Sequence, residues 1–244
     1  SKPLLIFEPM TIDYPMASIR FHKFAIEGMQ DIQKQTEKSK AFYFPYVEEK
    51  KGVADKLLIE LAKNAAVVIT DDYPTYFVPQ MTAEAKGSIQ TTYELVDSNG
   101  LLPIRIAEKE YVRAHDFRRF MHKNIEDFLV EVPEKDPLEY LNLKFDEKLL
   151  EPIFKKYELV DFNKVNTQDF LNNLNVDKSV EVSDVVGGYN AAKSRLDLFA
   201  KKGFNDYSKL RSHPSEDASS KLSPYFHFGH ISTYEVFEKI ISSE

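Results

Sequence analysis

The stretch LLIFEPM at residues 4–10 opens the pattern that decides the fold class. Its unbroken apolar run is typical of a buried strand, and Pro9 is expected to end it because proline cannot donate to a strand ladder. The other segments that read as strands are AFYFPYV (41–47), AAVVIT (65–70), IQTTYELVD (89–97) and LLPIRI (101–106). The β-branched residues of 65–70 favour a strand as well.

Helical patterns alternate with these strands. They cover residues 17–38 and 52–64, and HKNIEDFLVEV (122–132) is a third. The positions predicted to face inward are Phe21, Phe24, Ala25 and Ile32 in the first helix and Val53, Leu57, Leu58 and Leu61 in the second. Strand–helix–strand repetition therefore predicts an α/β fold, with a Rossmann-like parallel sheet and helices on both faces.

The rest of the chain changes character. Residues 133–182 are predicted to form a connector that carries short helices, at residues 150–160 and 167–175. From Gly187 the pattern is helical, and residues 190–203 place Ala191, Leu196 and Phe199 on one stripe that ends at Gly203. The chain starts three residues before its first strand and has no glycine fingerprint in the first turn, so we expect the sheet to lack a leading unit.

Composition narrows the function classes. The 244 residues include no cysteine, which excludes disulfides, thiol catalysis and thiolate metal sites and fits a cytoplasmic protein. The net charge of −7 is a poor match to the phosphate backbone of nucleic acid. No apolar run reaches about 18 residues, so no membrane partner is expected. The fingerprints of P-loop nucleotide triphosphatases, dinucleotide-binding dehydrogenases, zinc proteases and serine hydrolases are missing.

Two polar groups are candidate sites, each with a structural alternative. Asp71-Asp72-Tyr73-Pro74 lies where a predicted strand ends, which suits a ligand or metal contact, or else a polar turn. His227 and His230 have a spacing that could serve a metal, but no nearby carboxylate completes a site, so we expect none.

The segment SSKLSPYFHFGHIS (219–232) carries the strongest signal. Ser223 is predicted as an N-cap with Pro224 at the first helical position, and Ser232 with Glu235 fits a capping box. Ser219, Ser220 and Lys221 precede the first of these helices, where hydroxyls, an ammonium group and backbone amides suit a phosphate. Phosphate binding and plain helix capping both remain open from the pattern alone.

This segment resembles the flavin-phosphate motif of the photolyase/cryptochrome family, especially its class II cyclobutane pyrimidine dimer photolyases. The matching residues are Ser220, Leu222, Ser223, Pro224, Tyr225, His227, Phe228, Gly229, Ile231 and Ser232. Tyr207 stands twelve residues before Ser219, where the family carries a tyrosine. Residues 177–207 are similar to the beginning of the family's helical domain, and residues 104–129 more loosely to the end of its antenna domain.

The resemblance implies three regions. Residues 1–132 would be a photolyase-type α/β antenna domain without its first unit, 133–182 an interdomain connector, and 183–244 the beginning of an all-α FAD-binding domain. FAD would be contacted, mainly at its phosphate and ribitol part, by Tyr207, Ser219, Ser220, Lys221, Leu222 and Ser223. An antenna chromophore of unknown identity would sit in the α/β domain.

The activity implied for the intact protein is light-driven repair of DNA. Excited reduced flavin donates an electron to a pyrimidine dimer flipped out of damaged DNA, the dimer splits, and the electron returns. Members of the family are much longer, and Arg105 stands where class II proteins commonly have tryptophan. We therefore expect this chain to be a partial, inactive version with no catalytic residue of its own and weak FAD binding. The alternative is a photolyase-like, non-enzymatic binding or light-sensing module.

Overall fold

A computed structural model describes residues 2–12, 14, 16–130, 132–165 and 167–242. Glu131, within the helix predicted at 122–132, lies outside the described residues. The described residues divide into two compact units. The first draws on 1–58, 136–232 and 239–244, and the second on 59–135 and 233–238. No helix in the described ranges is long and apolar enough to cross a membrane.

The first unit is built on two parallel strands. Strand β1 (Leu5–Met10) pairs with β2 (Phe42–Val47), and helix α1 (Ile19–Thr36) connects them. In this register Ile6 lies opposite Tyr43, so the even-numbered residues of β1 share a face with the odd-numbered residues of β2. The predicted βαβ arrangement is confirmed here.

Both faces of this sheet are covered, as the sequence predicts. On one face lies a buried cluster that α1 shares with the sheet and with residues near helix α6 (Thr167–Asn173); its members are Ile19, Ile26, Met29, Tyr43, Val47, Leu171 and Leu174. On the other face, Phe42 and Phe44 pack against Phe154 of helix α5 (Glu151–Phe154), with ring centroids 6.1 and 5.9 Å apart. The sheet is therefore the middle of three layers.

The predicted short helices of the connector are confirmed. Besides α5 and α6, the segment forms 3-10 turns at Pro137–Tyr140 and Glu147–Leu150. The connector also forms hydrogen bonds to strand β2 and to the residues just before it. The Val160 amide donates to the Pro45 carbonyl at 3.1 Å, and the Phe145 amide donates to the Lys40 carbonyl at 3.0 Å. The boundaries drawn at 132 and 182 remain predictions.

Two details of the first unit differ from the sequence prediction. Strand β1 continues through Pro9 to Met10, because β2 is its one described partner and an edge strand tolerates proline. The inward stripe predicted for α1 is partly wrong: Phe21 is exposed, while Ile26 and Met29 are fully buried. Helix α1 is packed on two sides, and a single stripe cannot describe such a helix.

The second unit repeats the parallel βαβ pattern. Helix α2 (Val53–Ala62) leads into β3 (Val67–Asp71), which pairs in parallel with β4 (Thr92–Val96). Between them lies α3 (Val78–Ser88), a helix that the sequence pattern did not reveal. The sequence predicts a helix at residues 122–132. The structure instead has helix α4 (Ala114–Asn124) followed by a 3-10 turn at Ile125–Phe128, so the helical segment starts and ends earlier than predicted.

The segment 101–106 is not a strand. It contains a 3-10 turn at Ile104–Ile106, so this prediction is wrong. The Asp97 carboxylate accepts hydrogen bonds from the amides of Asn99 (3.3 Å) and Ile104 (2.6 Å), which holds the chain in a turn after β4. A side chain that satisfies backbone donors in this way competes with a strand ladder.

The chain after the connector meets α1 at Gly187 and Gly188. The Gly187 amide donates to the Glu27 carboxylate at 2.7 Å, and the Asn190 amide donates to that of Asp31 at 3.0 Å. A Cβ atom on Gly187 would overlap the Phe24 carbonyl oxygen, and Gly188 has a φ of +90°. Glycine is required at both positions, at the first by close approach and at the second by conformation.

Helices α7 (Tyr189–Lys202), α8 (Phe204–Leu210), α9 (Ser223–His227) and α10 (Thr233–Ile241) follow. Helix α7 ends before Gly203, whose amide bonds the Phe199 carbonyl at 2.8 Å, as predicted. Leu196 and Phe199 are buried, with Ala192 rather than Ala191 completing the buried stripe.

Replacing Gly187 by alanine should destabilise the protein by about 2–4 kcal/mol, because the new methyl group must displace the α1 backbone. The measurement is the free energy of unfolding in urea. The matched control is Gly87→Ala in helix α3, where an added Cβ atom would approach no other part of the chain within 4 Å. This variant should have unchanged stability or gain up to about 1 kcal/mol. Equal stability of the two variants would contradict the close approach.

Glu48 supports a second stability prediction. Its buried carboxylate accepts from the amides of Val53 (2.8 Å) and Ala54 (3.2 Å) at the start of α2, and from Ile12 (3.4 Å). Glu48→Gln replaces one acceptor oxygen by a donor, so unfolding should become easier by about 1–3 kcal/mol. The exposed neighbour gives the control, and Glu49→Gln should stay within about 0.5 kcal/mol of wild type in the same urea titration.

Candidate functional site

Residues 218–223, named the serine turn here, lie between α8 and α9 and lead into the first residue of α9. The two apolar residues of this turn point inward, since Ala218 is 7% exposed and Leu222 is 1% exposed. Ser219, Lys221 and Ser223 are exposed and Ser220 is half-buried. Burial of the apolar side chains at both ends fixes the turn and leaves hydroxyl and ammonium groups at the surface.

The main chain of this turn is held by Arg195 of α7. The guanidinium Nε donates to the Ser220 carbonyl oxygen at 2.8 Å, and Nη2 donates to that of Ser219 at 3.2 Å. The Ser220 hydroxyl accepts from the Leu222 amide at 3.4 Å. Sequence reasoning missed Arg195, because a contact between a side chain and carbonyls 24 and 25 residues away leaves no spacing signal.

Lys221 has an unusual backbone and a local partner. Its φ of +55° lies in the left-handed region, which residues other than glycine rarely adopt. Its ammonium group lies 2.5 Å from the Asp217 carboxylate, and the hydrogen bond from Lys221 holds the pKa of that carboxyl below its usual range. A phosphate at this turn would therefore share the ammonium group with Asp217.

The helix start differs by one residue from the prediction. Helix α9 begins at Ser223, and the Leu222 carbonyl accepts the first helical bond, from the Phe226 amide at 3.0 Å, so Leu222 is the N-cap. Ser223 makes no cap of the predicted kind, and its hydroxyl lies on an exposed residue. Helix α10 begins at Thr233, directly after Ser232, where the sequence placed it.

Tyr207 lies in α8, apart from the turn in sequence. Its ring packs edge-on against Phe199 with centroids 5.5 Å apart, and the Arg211 guanidinium lies 5.3 Å from its centroid. The structure thus brings Ser219 to Ser223 together in one turn, and orients the Tyr207 ring through helix contacts.

An aromatic cluster behind α9 joins this region to α1. The Phe24 ring lies 5.3 Å from that of Tyr225, 5.2 Å from that of Phe228 and 4.8 Å from that of His230, on which it stacks. The Tyr225 hydroxyl donates to the Val186 carbonyl at 2.8 Å. The α1 helix therefore supports the turn through α9.

His230 serves packing here. Its Nδ1 accepts from the Gly188 amide at 2.9 Å, so the neutral ring fits this place. Burial lowers its pKa to about 4, against the smaller raising effect of Asp31 and Glu27. Gly28 lies directly under the ring, where any Cβ atom would collide with it. Within the described ranges no three histidine or acidic side chains are grouped to hold a metal ion.

The second candidate from the sequence lies at the ends of β3 and β4. Asp72 forms a two-pronged contact with Arg105, at 2.7 Å to Nε and 2.5 Å to Nη2, and Asp71 accepts from the Ser98 hydroxyl at 2.5 Å. A cleft of about 440 Å³ lies beside them, lined by Asp72, Tyr73, Pro74, Pro79, Leu95 and Arg105 among others. Both carboxylates are engaged by the protein, as a polar turn requires.

Comparison with known proteins finds two curated relatives that share one name. No family model matches the chain. The deoxyribodipyrimidine photo-lyase of Methanothermobacter thermautotrophicus is 27% identical over 232 residues, 95% of this chain and 47% of that protein. The protein of the same name from Potorous tridactylus is 26% identical over 222 residues, 88% of this chain and 38% of that protein. The chain thus spans about half, or less, of the length of these curated relatives.

Solved structures agree on the fold. The class III photolyase of Agrobacterium tumefaciens superposes with a TM-score of 0.63 at 17% identity, over 98% of this chain and 47% of that one. The photolyase of Sulfolobus tokodaii, solved with two FAD molecules, gives 0.58 at 18% identity, over 97% and 47%. The resemblance to the photolyase/cryptochrome family and the α/β fold class are confirmed, and the class II assignment stays a prediction.

The buried imidazole predicts acid sensitivity. Because the His230 pKa is about 4 in the folded chain and near 6.5 when unfolded, the unfolded state binds more protons between these values. The free energy of unfolding should therefore fall as pH drops from about 6.5 towards 4. Burial also lowers the pKa of His22, so its contribution to the pH dependence has the same sign.

The test compares urea unfolding at pH 7 and pH 5. His230→Asn should be less stable at pH 7 and lose less stability on acidification than wild type, because the unfolded state no longer gains this proton. His213→Asn, at an exposed position, is the control and should keep the wild-type difference. An unchanged slope in His230→Asn would contradict the buried neutral ring.

Proposed function

We propose that this chain, which resembles the photolyase/cryptochrome family over nearly its whole length, is part of a light-driven, FAD-dependent DNA photolyase that repairs cyclobutane pyrimidine dimers. The observation that carries the proposal is the match of 95% and 88% of the chain to two curated photolyases. The intact protein would act on damaged DNA, and this chain would supply its α/β part and the phosphate grip for FAD.

The donors of the serine turn fit a diphosphate. Ser219 and Ser223 expose hydroxyls, Ser220 is half-buried beside them, and Lys221 adds an ammonium group. Hydrogen bonds from such groups to a charged phosphate are stronger than those between neutral partners. Leu222, whose side chain is 1% exposed, would contribute through its backbone only.

Other parts of the chain have supporting roles in this proposal. Tyr207 would contact the same cofactor from α8, with its ring oriented by Phe199 and Arg211. When bound and reduced, FAD supplies the electron that its excited state donates. The role of this chain's residues is to bind and orient the cofactor. An antenna chromophore in the α/β part also belongs to the proposal, and its identity is left to experiment.

The flavin absorption band tests the proposal, in the purified chain and in the longest natural protein that contains it. With excess FAD, we expect weak binding by the chain and firm retention by the longer protein. Ser219→Ala/Ser220→Ala should weaken FAD binding in both at least about tenfold, because hydrogen bonds to charged groups are each worth about 1.5–3 kcal/mol.

Controls separate the phosphate grip from general effects. Ser212→Ala/Ser215→Ala removes two exposed hydroxyls from the preceding segment and should leave FAD binding unchanged. Repair of an oligonucleotide that contains a thymine dimer, with and without blue light, then tests the activity of the longer protein. Flavin binding without repair would favour the non-enzymatic binding or light-sensing module, and no flavin in either protein would overturn the proposal.

A further inference from the structure

Arg195 holds two successive carbonyl groups with one guanidinium. Its Nε and Nη2 atoms donate to Ser220 and Ser219 at 2.8 and 3.2 Å, from the middle of α7. A planar guanidinium has donors at fixed spacing and angle, so it sets the direction of both carbonyls at once, which the ammonium group of a lysine cannot do.

The direction of these carbonyls determines where the next amides point. No peptide bond of the described residues is cis, and in a trans peptide the N–H points opposite to the C=O. The amides of Ser220 and Lys221 therefore face away from Arg195. Neither amide donates to any residue that the structure describes.

The backbone of the turn adds a second feature. Lys221 adopts the left-handed conformation, which is one member of the right-handed/left-handed residue pair that forms an anion-binding nest. Ala218 and Leu222 are buried at the two ends of the turn and anchor it there. The turn is therefore held at both ends, while the Ser220 and Lys221 amides point away from Arg195.

We propose that Arg195 is the positioning residue of the flavin-phosphate turn: it aims the Ser220 and Lys221 amides at the diphosphate and does not bind it directly. The proposal rests on the proposed function, since it assigns a diphosphate to this turn. The Nε and Nη2 atoms of the guanidinium donate to main-chain carbonyls, and these two contacts are the basis for assigning Arg195 an orienting role.

Titration with inorganic pyrophosphate, followed by the amide resonances in NMR, tests this assignment in the chain as it exists. In wild type the Ser220 and Lys221 amides should shift saturably and their hydrogen exchange should slow. Arg195→Lys keeps the charge without the planar fork, and Arg195→Gln removes both. Both variants should weaken the pyrophosphate response at least about tenfold while resonances outside residues 217–223 stay in place.

Lys193→Gln is the matched control, because it removes a positive charge from the same helix at an exposed position. Its pyrophosphate affinity should stay within about twofold of wild type. If Arg195→Lys binds as wild type does and only Arg195→Gln fails, charge alone matters and the positioning role is overturned. If both variants bind normally, Arg195 is overturned while the proposed function stands.

The wild-type measurement stands even where a variant fails to fold. If pyrophosphate does not shift the Ser220 and Lys221 amide resonances in wild type, the proposed role of these amides is overturned. FAD retention by the longer protein then decides whether the flavin function falls with it. Retention that depends on Ser219 and Ser220 would keep the function and place the phosphate contact on hydroxyls alone.

Discussion

The close approach of Gly187 and Gly188 to helix α1 is the constraint on which the site depends. A backbone without side chains can lie against the Phe24 carbonyl. The Glu27 carboxylate then accepts the Gly187 amide, and the Asp31 carboxylate accepts the amide of Asn190 just beyond the glycines. These bonds join residues about 160 positions apart in sequence. Helix α7 begins directly after Gly188, so this contact sets where the chain enters the helices that follow.

Helix α1 consequently works on two sides. Ile26 and Met29 complete the core that covers the sheet, while Phe24 stacks on the His230 ring and touches Tyr225 and Phe228. The neutral imidazole suits this interior, since it accepts the Gly188 amide without bringing a charge. The strand–helix unit and the serine turn are thus stabilised by opposite sides of one helix.

The serine turn is held in place by buried side chains and by contacts to its main chain. Ala218 and Leu222 are buried, Arg195 engages the carbonyls, and the groups left at the surface are those that suit a phosphate. The chain spans 47% of the length of the Methanothermobacter photolyase, and the proposal accordingly assigns this turn only the phosphate part of the cofactor.

The sequence by itself determined the parallel βαβ units, the helical character after Gly187 and the serine motif, because each depends on local periodicity or on residues close together in the chain. It misplaced Phe21, predicted a strand at 101–106 where Asp97 holds a turn, and missed α3, whose pattern is weakly amphipathic. Only the tertiary structure decided that α1 has two buried sides and that Arg195 orients the turn. Both depend on contacts between segments that are distant in sequence. The spacing of neighbouring residues does not predict which distant segments will make such contacts.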